Sequence, residues 1–313
     1  MPELPEVETV RRGLAPLVGA RIEQAQAFHP RSVRRHDGGA PAFAAELAGA
    51  RIASAERRGK YLWLPLQRDA SNSNDGGAGA PDKLRSDFLG QGAAVALLVH
   101  LGMSGQLRVQ HGDIPDSHRH LRARLYCVTA SGERVFLDFI DQRTFGHVAV
   151  VDLIQTADGA LPELATHIAR DLLDDRFSAL DVAKRIMAKR SEIKRVLLDQ
   201  TVVSGIGNIY ADEALWAASV HPQSPAHELS QIEVVAVLAA AQSVVDRAVQ
   251  VGGTSFDAQY VDSNGEPGRF GDQLDAYART GKPCRKCGTP IQKITFMNRS
   301  SHLCPSCQQV TWR

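Results

Sequence analysis

A chain of 313 residues has room for about two domains of roughly 150 residues, each with its own core. Hydrophobic residues at 43% and charged residues at 23% exclude wholesale disorder, and no apolar run nears the roughly 20 residues needed to span a bilayer. With a formal net charge of +1 and no basic, apolar leader, the expected class is a cytoplasmic protein whose partners are set by local charge, not by the total.

Leu4, Val7, Val10, Leu14 and Leu17 recur at helical spacing around and after Pro5, which predicts an amphipathic helix ending near Pro16. Glu3, Glu6 and Glu8 crowd its start. On spacing alone they are acidic side chains suited to the positive end of a helix dipole. Strands are predicted over residues 21–28, 51–57, 61–66, 94–101, 121–128, 135–139 and 147–151, and short strands broken by Gly turns indicate a β-sandwich. Residues 69–92, rich in Ser, Asn, Gly and Pro, interrupt that pattern and predict a mobile surface insertion. Helical patterns follow over 180–187, 191–198, 208–218 and 230–251, before turns and short strands return near the C-terminus. The expected class is α+β, with domains at 1–152, 153–275 and 276–313.

Charge and cysteine both concentrate at the C-terminal end. Residues 279–313 hold seven Lys or Arg and no Asp or Glu, whereas residues 152–181 hold seven acids against Arg170 and Arg176. Cys284, Cys287, Cys304 and Cys307 form a C-x2-C-x16-C-x2-C pattern, in which each pair holds one side of a metal and the 16 residues between form a hairpin. Four thiolates select tetrahedral Zn2+ and leave no open position for a reacting water, so the ion is expected to be structural. Paired disulfides are the alternative, disfavoured in a cytoplasmic chain. Cys127 stands alone in a strand and is expected to be a buried small hydrophobe.

Asn298, Arg299 and Ser300 fall near the tip of this hairpin, where Arg299 is either a solvated turn residue or a guanidinium held against a phosphate. In "SGIGNIYADEAL", Gly205 and Gly207 lie in a turn between helices, with Asn208 at the expected N-cap of the second and free backbone N–H groups forming an anion site. Alone, a G-x-G is also ordinary turn geometry.

The stretches "PELPEVET", "RRGKYL", "HLGMSG", "RTFG", "GIGNIYADEAL", "GGTSF", "NGEPGRF" and "RSSHLCPSC" together resemble, in order and over nearly the whole length, the formamidopyrimidine-DNA glycosylases. The 69–92 insertion has no counterpart in that pattern. The resemblance implies an N-terminal helix and β-sandwich, a helix-two-turn-helix domain with a zinc-finger hairpin, and double-stranded DNA containing oxidised bases bound between the two. It implies a monomer acting in base-excision repair in the bacterial cytoplasm, associated with the nucleoid.

It further implies that Met1 is removed and that the Pro2 nitrogen is the nucleophile. An α-amine with a pKa of roughly 7.7 to 8.0 is more often neutral at pH 7 than a lysine amine at about 10.4. Glu3 is then the general acid/base, and Glu6 orients the amine or relays protons. Lys60 is the catalytic-loop lysine at the lesion; Lys60 and Arg299 join Glu3 as proton-donor candidates. Asn208 and Arg299 grip the flanking phosphates, and Met103, Arg143 and Phe145 fill the space left by the extruded base. Gln142 stands where the family usually has proline, and Thr144 where a basic residue is common. Residues 260–270 match the loop that closes over the everted purine.

The expected activity is removal of oxidised purines such as 8-oxoguanine and formamidopyrimidines, with β,δ-elimination at the abasic site. The alternatives are an endonuclease VIII-like glycosylase for oxidised pyrimidines and a non-catalytic zinc-ribbon damage sensor. The "PELPEVE" opening and the "NGEPGRF" loop favour the purine branch, and an amine beside a carboxylate at the chain start argues against a mere binder.

Overall fold

The computed structural model describes residues 2–68, 94–112, 117–254 and 265–310. The 69–92 insertion and residues 260–264 of the 260–270 loop lie outside them. The chain divides into two compact units, the first made chiefly of Val7–Thr166 with Pro2, the second of Glu3–Glu6, His167–Phe256 and Gly268–Arg313.

The first unit is a β-sandwich bearing two helices. In chain order its elements are α1 (Leu4–Gly13, whose first turn groups with the second unit), β1 (Arg21–Ala27), α2 (Gly39–Leu47), β2 (Arg51–Ile52), β3 (Glu56–Arg58) and β4 (Tyr61–Gln67). There follow β5 (Val95–His100), β6 (Gly105–His111), β7 (Leu121–Val128), β8 (Arg134–Asp141), β9 (His147–Thr156) and β10 (Gly159–Pro162). The strands pair antiparallel in the order β10-β9-β5-β4-β2-β1-β7-β8-β6, with β3 folded back on β4. Alternation sets the faces. Leu62, Leu64, Leu97, Val99 and Val148 join Leu125, Leu137 and Phe139 from the other half of the path, together with Val7, Val10 and Leu14 of α1, in one core. The intervening Trp63, Ala96, Leu98, Ala149 and Val151 form a second cluster with Leu161 on the opposite face. Cys127 lies in the main core, where burial pushes its thiol up to about 12.

The structure departs from the sequence pattern in four places. The strand expected over 51–57 is split into β2 and β3, which pair with opposite ends of β4. Helix α2 was not expected; Phe43 and Leu47, one turn apart, bury it. Edge strand β6 was masked by its alternating Gln106, Arg108 and Gln110. Strand β9 runs past the expected Val151 to Thr156 and returns through β10, because residues 147–162 form one hairpin with pairing from Leu153↔Pro162 to Thr156↔Gly159.

The second unit holds α3 (Ala179–Met187), α4 (Ile193–Leu197), α5 (Asn208–Ala217), α6 (Gln231–Gln250) and the hairpin β11 (Gln292–Phe296) and β12 (Arg299–Leu303). Ser230 and Glu233 form a capping box at the start of α6. Val234, Val237, Leu238, Ala241, Val244, Val245 and Ala248 then face the core at helical spacing. Helix α5 is buried from Ile209 through Trp216, polar residues included. No helix among the described residues is long and apolar enough to cross a membrane.

Candidate active site

The chain's first turn is built around two carboxylates that are almost fully buried, Glu3 at 2% and Glu6 at 1% exposure. Glu6 Oε2 accepts the Glu3 N–H at 2.8 Å. Its Oε1 accepts the Tyr210 hydroxyl at 2.7 Å, the Thr254 N–H at 2.7 Å and the Thr254 hydroxyl at 2.9 Å. A carboxylate has about four lone-pair positions, so these four donors engage its acceptor capacity. Burial, together with the Glu6 charge, drives the Tyr210 phenol well above its ordinary range and keeps it a donor.

The Glu3 side chain turns the other way, onto the N-terminus of α5. It accepts N–H groups from Gly207 at 2.8 Å, Ile209 at 3.2 Å and Tyr210 at 3.4 Å. The anion site expected at this helix end therefore exists, and the protein's own carboxylate fills it. Glycine at 207 leaves room for this carboxylate: a Cβ there would lie 2.2 Å from Glu3 Cδ and displace it. Asn208 is not the N-cap. Gly207 caps the helix and Asn208 is its first residue, because Glu3 supplies the acceptor that a capping side chain otherwise provides. Pro2 is buried, directly ahead of these residues.

Freed from capping, Asn208 reaches β12 and donates Nδ2 to the Ser300 carbonyl at 3.0 Å. Arg299 opens β12 beside the hairpin turn Met297–Asn298 and is exposed. Asp212, fully buried on α5, fixes that strand: it accepts Lys194 Nζ at 2.6 Å, Ser301 Oγ at 2.8 Å and the His302 N–H at 2.8 Å. Burial pulls the Lys194 ammonium below its usual range, and Asp212 opposes the shift. Glu213, next on the helix, accepts three consecutive N–H groups from Asp275, Ala276 and Tyr277, each at 2.8 Å.

At the far end of α5, Lys286 Nζ donates to the Trp216 and Ala217 carbonyls at 2.7 and 2.8 Å, and Trp216 Nε1 donates to Cys284 Sγ at 3.3 Å. The sulfurs of Cys284, Cys287, Cys304 and Cys307 all lie within 4.8 Å of one another, the shortest separations being 3.4 Å. Tetrahedral Zn–S bonds of about 2.3 Å put sulfurs about 3.8 Å apart, inside that range. The four fit one structural Zn2+, with N–H groups of Trp216, Lys286 and Cys307 directed at the sulfurs.

In the first unit, Lys60 occupies the two-residue turn Gly59–Lys60 between β3 and β4, with Arg58↔Tyr61 as its closing pair. Arg57 holds the turn: its Nη1 donates to the Gly59 carbonyl at 3.2 Å and its Nε to Glu8 at 3.0 Å. Burial would raise the Glu8 carboxyl, but Arg11, Arg57 and Arg12 outweigh it and hold it down to about 2. Beside the turn, Tyr61, His100 and His147 form a ladder across three neighbouring strands, with ring centroids 4.9 and 5.4 Å apart. Burial first, then the charges of Lys60, Arg34 and Arg35, lower His100 to about 4, and burial with His100 as neighbour lowers His147 to about 3. Both rings are neutral near pH 7. Met103, in the turn after β5, and Phe145, after β8, are 43% and 48% exposed, unusual for large apolar side chains, and Arg143 is exposed beside Phe145.

The structure thus gathers Glu3, Glu6, Asn208 and Arg299 around α5 and β12, and Lys60, Met103, Arg143 and Phe145 on turns of the sandwich. Residue pattern did not single out Tyr210, Thr254, Asp212, Lys194, Glu213, Asp141 or the histidine pair. Tyr210, Asp212, Glu213, Thr254 and His100 lie inside the quoted stretches and Asp141 just before one, but their partners are visible only when distant segments meet.

The chain matches the family model of the formamidopyrimidine-DNA glycosylase N-terminal domain over residues 1–148, that of the H2TH domain of the same enzymes over 168–259, and that of a zinc finger found in FPG and IleRS over 281–310. It is 49% identical to the formamidopyrimidine-DNA glycosylase of Rhodococcus opacus over 100% of this chain and 99% of that one. It is 48% identical to that of Thermobifida fusca over 98% and 97%. Among solved structures, the Lactococcus lactis enzyme with DNA containing an oxidised pyrimidine superposes with a TM-score of 0.78 at 30% identity, covering 98% of this chain and 100% of that one. A variant of the same enzyme with Fapy-dG DNA gives 0.77 at 28% identity, over 98% and 100%. This chain belongs to the formamidopyrimidine-DNA glycosylase family.

Proposed function

We propose that this enzyme excises oxidised purines from duplex DNA with Pro2 as nucleophile, after removal of Met1, in the bacterial cytoplasm on nucleoid DNA. The observation that carries this reading is the buried Glu3 carboxylate, adjacent to Pro2 in the chain and fixed by the backbone N–H groups of Gly207, Ile209 and Tyr210 at the start of α5. The Pro2 nitrogen attacks C1′ of the damaged nucleotide, the glycosidic bond breaks, and the base leaves with a proton. Glu3 handles the protons that base departure and sugar-ring opening require. The resulting iminium withdraws electrons from C2′. Loss of a C2′ proton expels the 3′ phosphate, and a second elimination expels the 5′ phosphate.

Glu6 acts as a positioning residue, since its oxygens already hold Glu3, Tyr210 and Thr254. Lys60 contacts the lesion site, Asn208 and Arg299 grip the flanking phosphates, and Met103, Arg143 and Phe145 occupy the vacated stack. The zinc takes no part in the chemistry; it stiffens the hairpin that carries Arg299.

Intact mass and N-terminal sequencing, followed by borohydride reduction with a duplex carrying 8-oxoguanine, test the reading. A chain starting at Pro2 should yield a covalent adduct, and Pro2→Gly or Glu3→Gln should weaken or abolish turnover. Absence of adduct from the processed chain sinks the enzyme mechanism. The L. lactis complex with an oxidised pyrimidine keeps a pyrimidine specificity in view; faster excision of thymine glycol than of 8-oxoguanine would move the enzyme to that branch.

A further inference from the structure

The loop carrying Arg143 and Phe145 lacks the proline expected at 142, yet it is tightly held, and the residue that holds it lies just before it. Asp141 ends β8 opposite Gly105 and is fully buried. Its Oδ1 accepts Ser104 Oγ at 2.6 Å and the Arg143 N–H at 3.2 Å, and its Oδ2 accepts the Gly146 N–H at 2.7 Å. Ser104 belongs to the Met103 turn, and its hydroxyl also accepts the Arg143 N–H at 3.2 Å. One carboxylate therefore ties the Met103 turn to both ends of the Arg143–Phe145 loop.

A second side chain closes the loop from outside. Arg34 donates Nη1 to the Gly146 carbonyl at 2.6 Å and Nη2 to the Phe145 carbonyl at 2.7 Å. The two turns pack backbone to backbone at Gly102, where a Cβ would lie 2.5 Å from the Gly146 nitrogen. Between its anchored neighbours Thr144 is held at a φ of 57°, a left-handed conformation that a β-branched residue avoids unless its surroundings impose it.

We infer that Asp141, assisted by Arg34, is a positioning residue that fixes Met103, Arg143 and Phe145 as one rigid wedge for opening the duplex at the lesion. This rests on the reading above, that these three side chains occupy the vacated stack. A proline stiffens a loop by fixing φ; here a buried carboxylate and a guanidinium fix both ends of the loop and leave position 142 open to glutamine. Replacing one Asp141 oxygen by an amide sets a donor against the N–H of Gly146 or of Arg143. The loop should then lose its anchorage without loss of apolar packing.

The test compares Asp141→Asn, Arg34→Ala and Phe145→Ala with the parent enzyme, after checking thermal midpoint and zinc content. Two readouts are taken: fluorescence of 2-aminopurine placed beside the lesion, which rises when the stack opens, and single-turnover cleavage of an 8-oxoguanine duplex against cleavage of single-stranded DNA with a preformed abasic site. Asp141→Asn and Arg34→Ala should blunt the fluorescence rise. Their loss on the duplex should exceed their loss on the single strand by about 10- to 100-fold, the scale of a misplacement of about 1 Å. Equal losses on both substrates, or an undiminished fluorescence rise in both variants, would overturn the inference. Should Asp141→Asn fail to fold, Arg34→Ala, whose side chain touches the loop from the surface, decides the matter alone. If Phe145→Ala itself leaves rise and excision intact, the wedge reading has failed; if only Phe145→Ala is impaired, the Asp141 bracket has.

Discussion

Replacing Glu6 by glutamine separates a clamp from a proton relay. In the native structure Oε2 faces the Glu3 N–H at 2.8 Å while Oε1 takes three donors from Tyr210 and Thr254. A glutamine keeping its carbonyl on the three-donor side must turn its NH2 toward the Glu3 N–H, donor against donor. The bond is lost and a buried N–H is stranded, at a cost of about 1–3 kcal/mol. The three remaining bonds fall from charged to neutral strength, roughly 1 kcal/mol each, while relief from burying a charge returns part of the sum. The net cost is about 3 kcal/mol, a large share of an ordinary stability of roughly 5–15 kcal/mol. Urea unfolding at pH 7 of the zinc-loaded enzyme measures it, and borohydride trapping on the same samples reads the chemistry. A clamp predicts that both fall together, as the Glu3 backbone loosens. If Glu6→Gln kept full stability and lost only trapping, Glu6 would be a relay and the clamp reasoning refuted.

The remaining expectations address other parts of the structure. Glu8→Gln should destabilise the enzyme by on the order of 2–3 kcal/mol at pH 7, discounted because the Arg12 side chain is 59% exposed, as measured by urea unfolding; parent and variant should converge in acid. The sign follows from a folded pKa lowered from 4.5 to about 2: the stabilisation is complete above pH 4.5 and is lost as pH falls toward 2. His100 and His147, lowered from 6.5 to about 4 and about 3, should withdraw stability as pH falls below 6.5, and neither ring should titrate near 6.5 by NMR; a normal titration would show them solvated. Removing Zn2+ with a chelator should abolish duplex binding, because the apparent binding free energy of structural zinc, about 10–16 kcal/mol, is folding free energy for the hairpin; undiminished binding by the metal-free enzyme would contradict that. Arg299→Ala should weaken DNA binding at all sequences and lower the salt-dependence slope by about 1, and an unchanged slope would show that no phosphate is engaged.

What could be read in the sequence was what periodicity and spacing encode. The strands of the sandwich core, α3 to α6 and the four-cysteine hairpin follow from apolar repeats and a metal-ligand pattern. The candidate residues came from motifs: Glu3 immediately precedes α1, Asn208 opens α5 in place of capping it, and Arg299 opens β12 beside the hairpin turn. The partners of those residues were hidden. Glu6 meets Thr254 across 248 positions and Glu3 meets Gly207 across 204, separations at which no local pattern carries information. Asn208 shows the failure most directly: Asn before a helical run reads as an N-cap, but a carboxylate from the chain's start takes that role and releases the asparagine toward β12. Helix α2 leaves little trace in the sequence because its GAPAFAAEL stretch opens on Gly, Ala and Pro and presents only Phe43 and Leu47 to the core.

Those hidden partners also explain how a chain of net charge +1 handles a polyanion. Among the described residues, Asp212 takes both the Lys194 ammonium and the His302 N–H, and six other buried acids fall into two groups. Glu8 and Asp138 pair with arginines, Glu8 with Arg11, Arg12 and Arg57, and Asp138 with Arg124. Glu3, Glu6, Asp141 and Glu213 take backbone N–H groups as donors, of α5, Glu3 and Thr254, the Arg143 loop and residues 275–277 in turn. A backbone N–H donor lets a buried carboxylate order a segment of the chain, while Arg143 and Arg299 stay exposed. Counting charges treats a buried Glu3 and an exposed Arg299 as cancelling, although only the second faces the solvent from which DNA arrives. The positive potential that DNA meets is therefore set by which charges the fold exposes, and the formal total understates it.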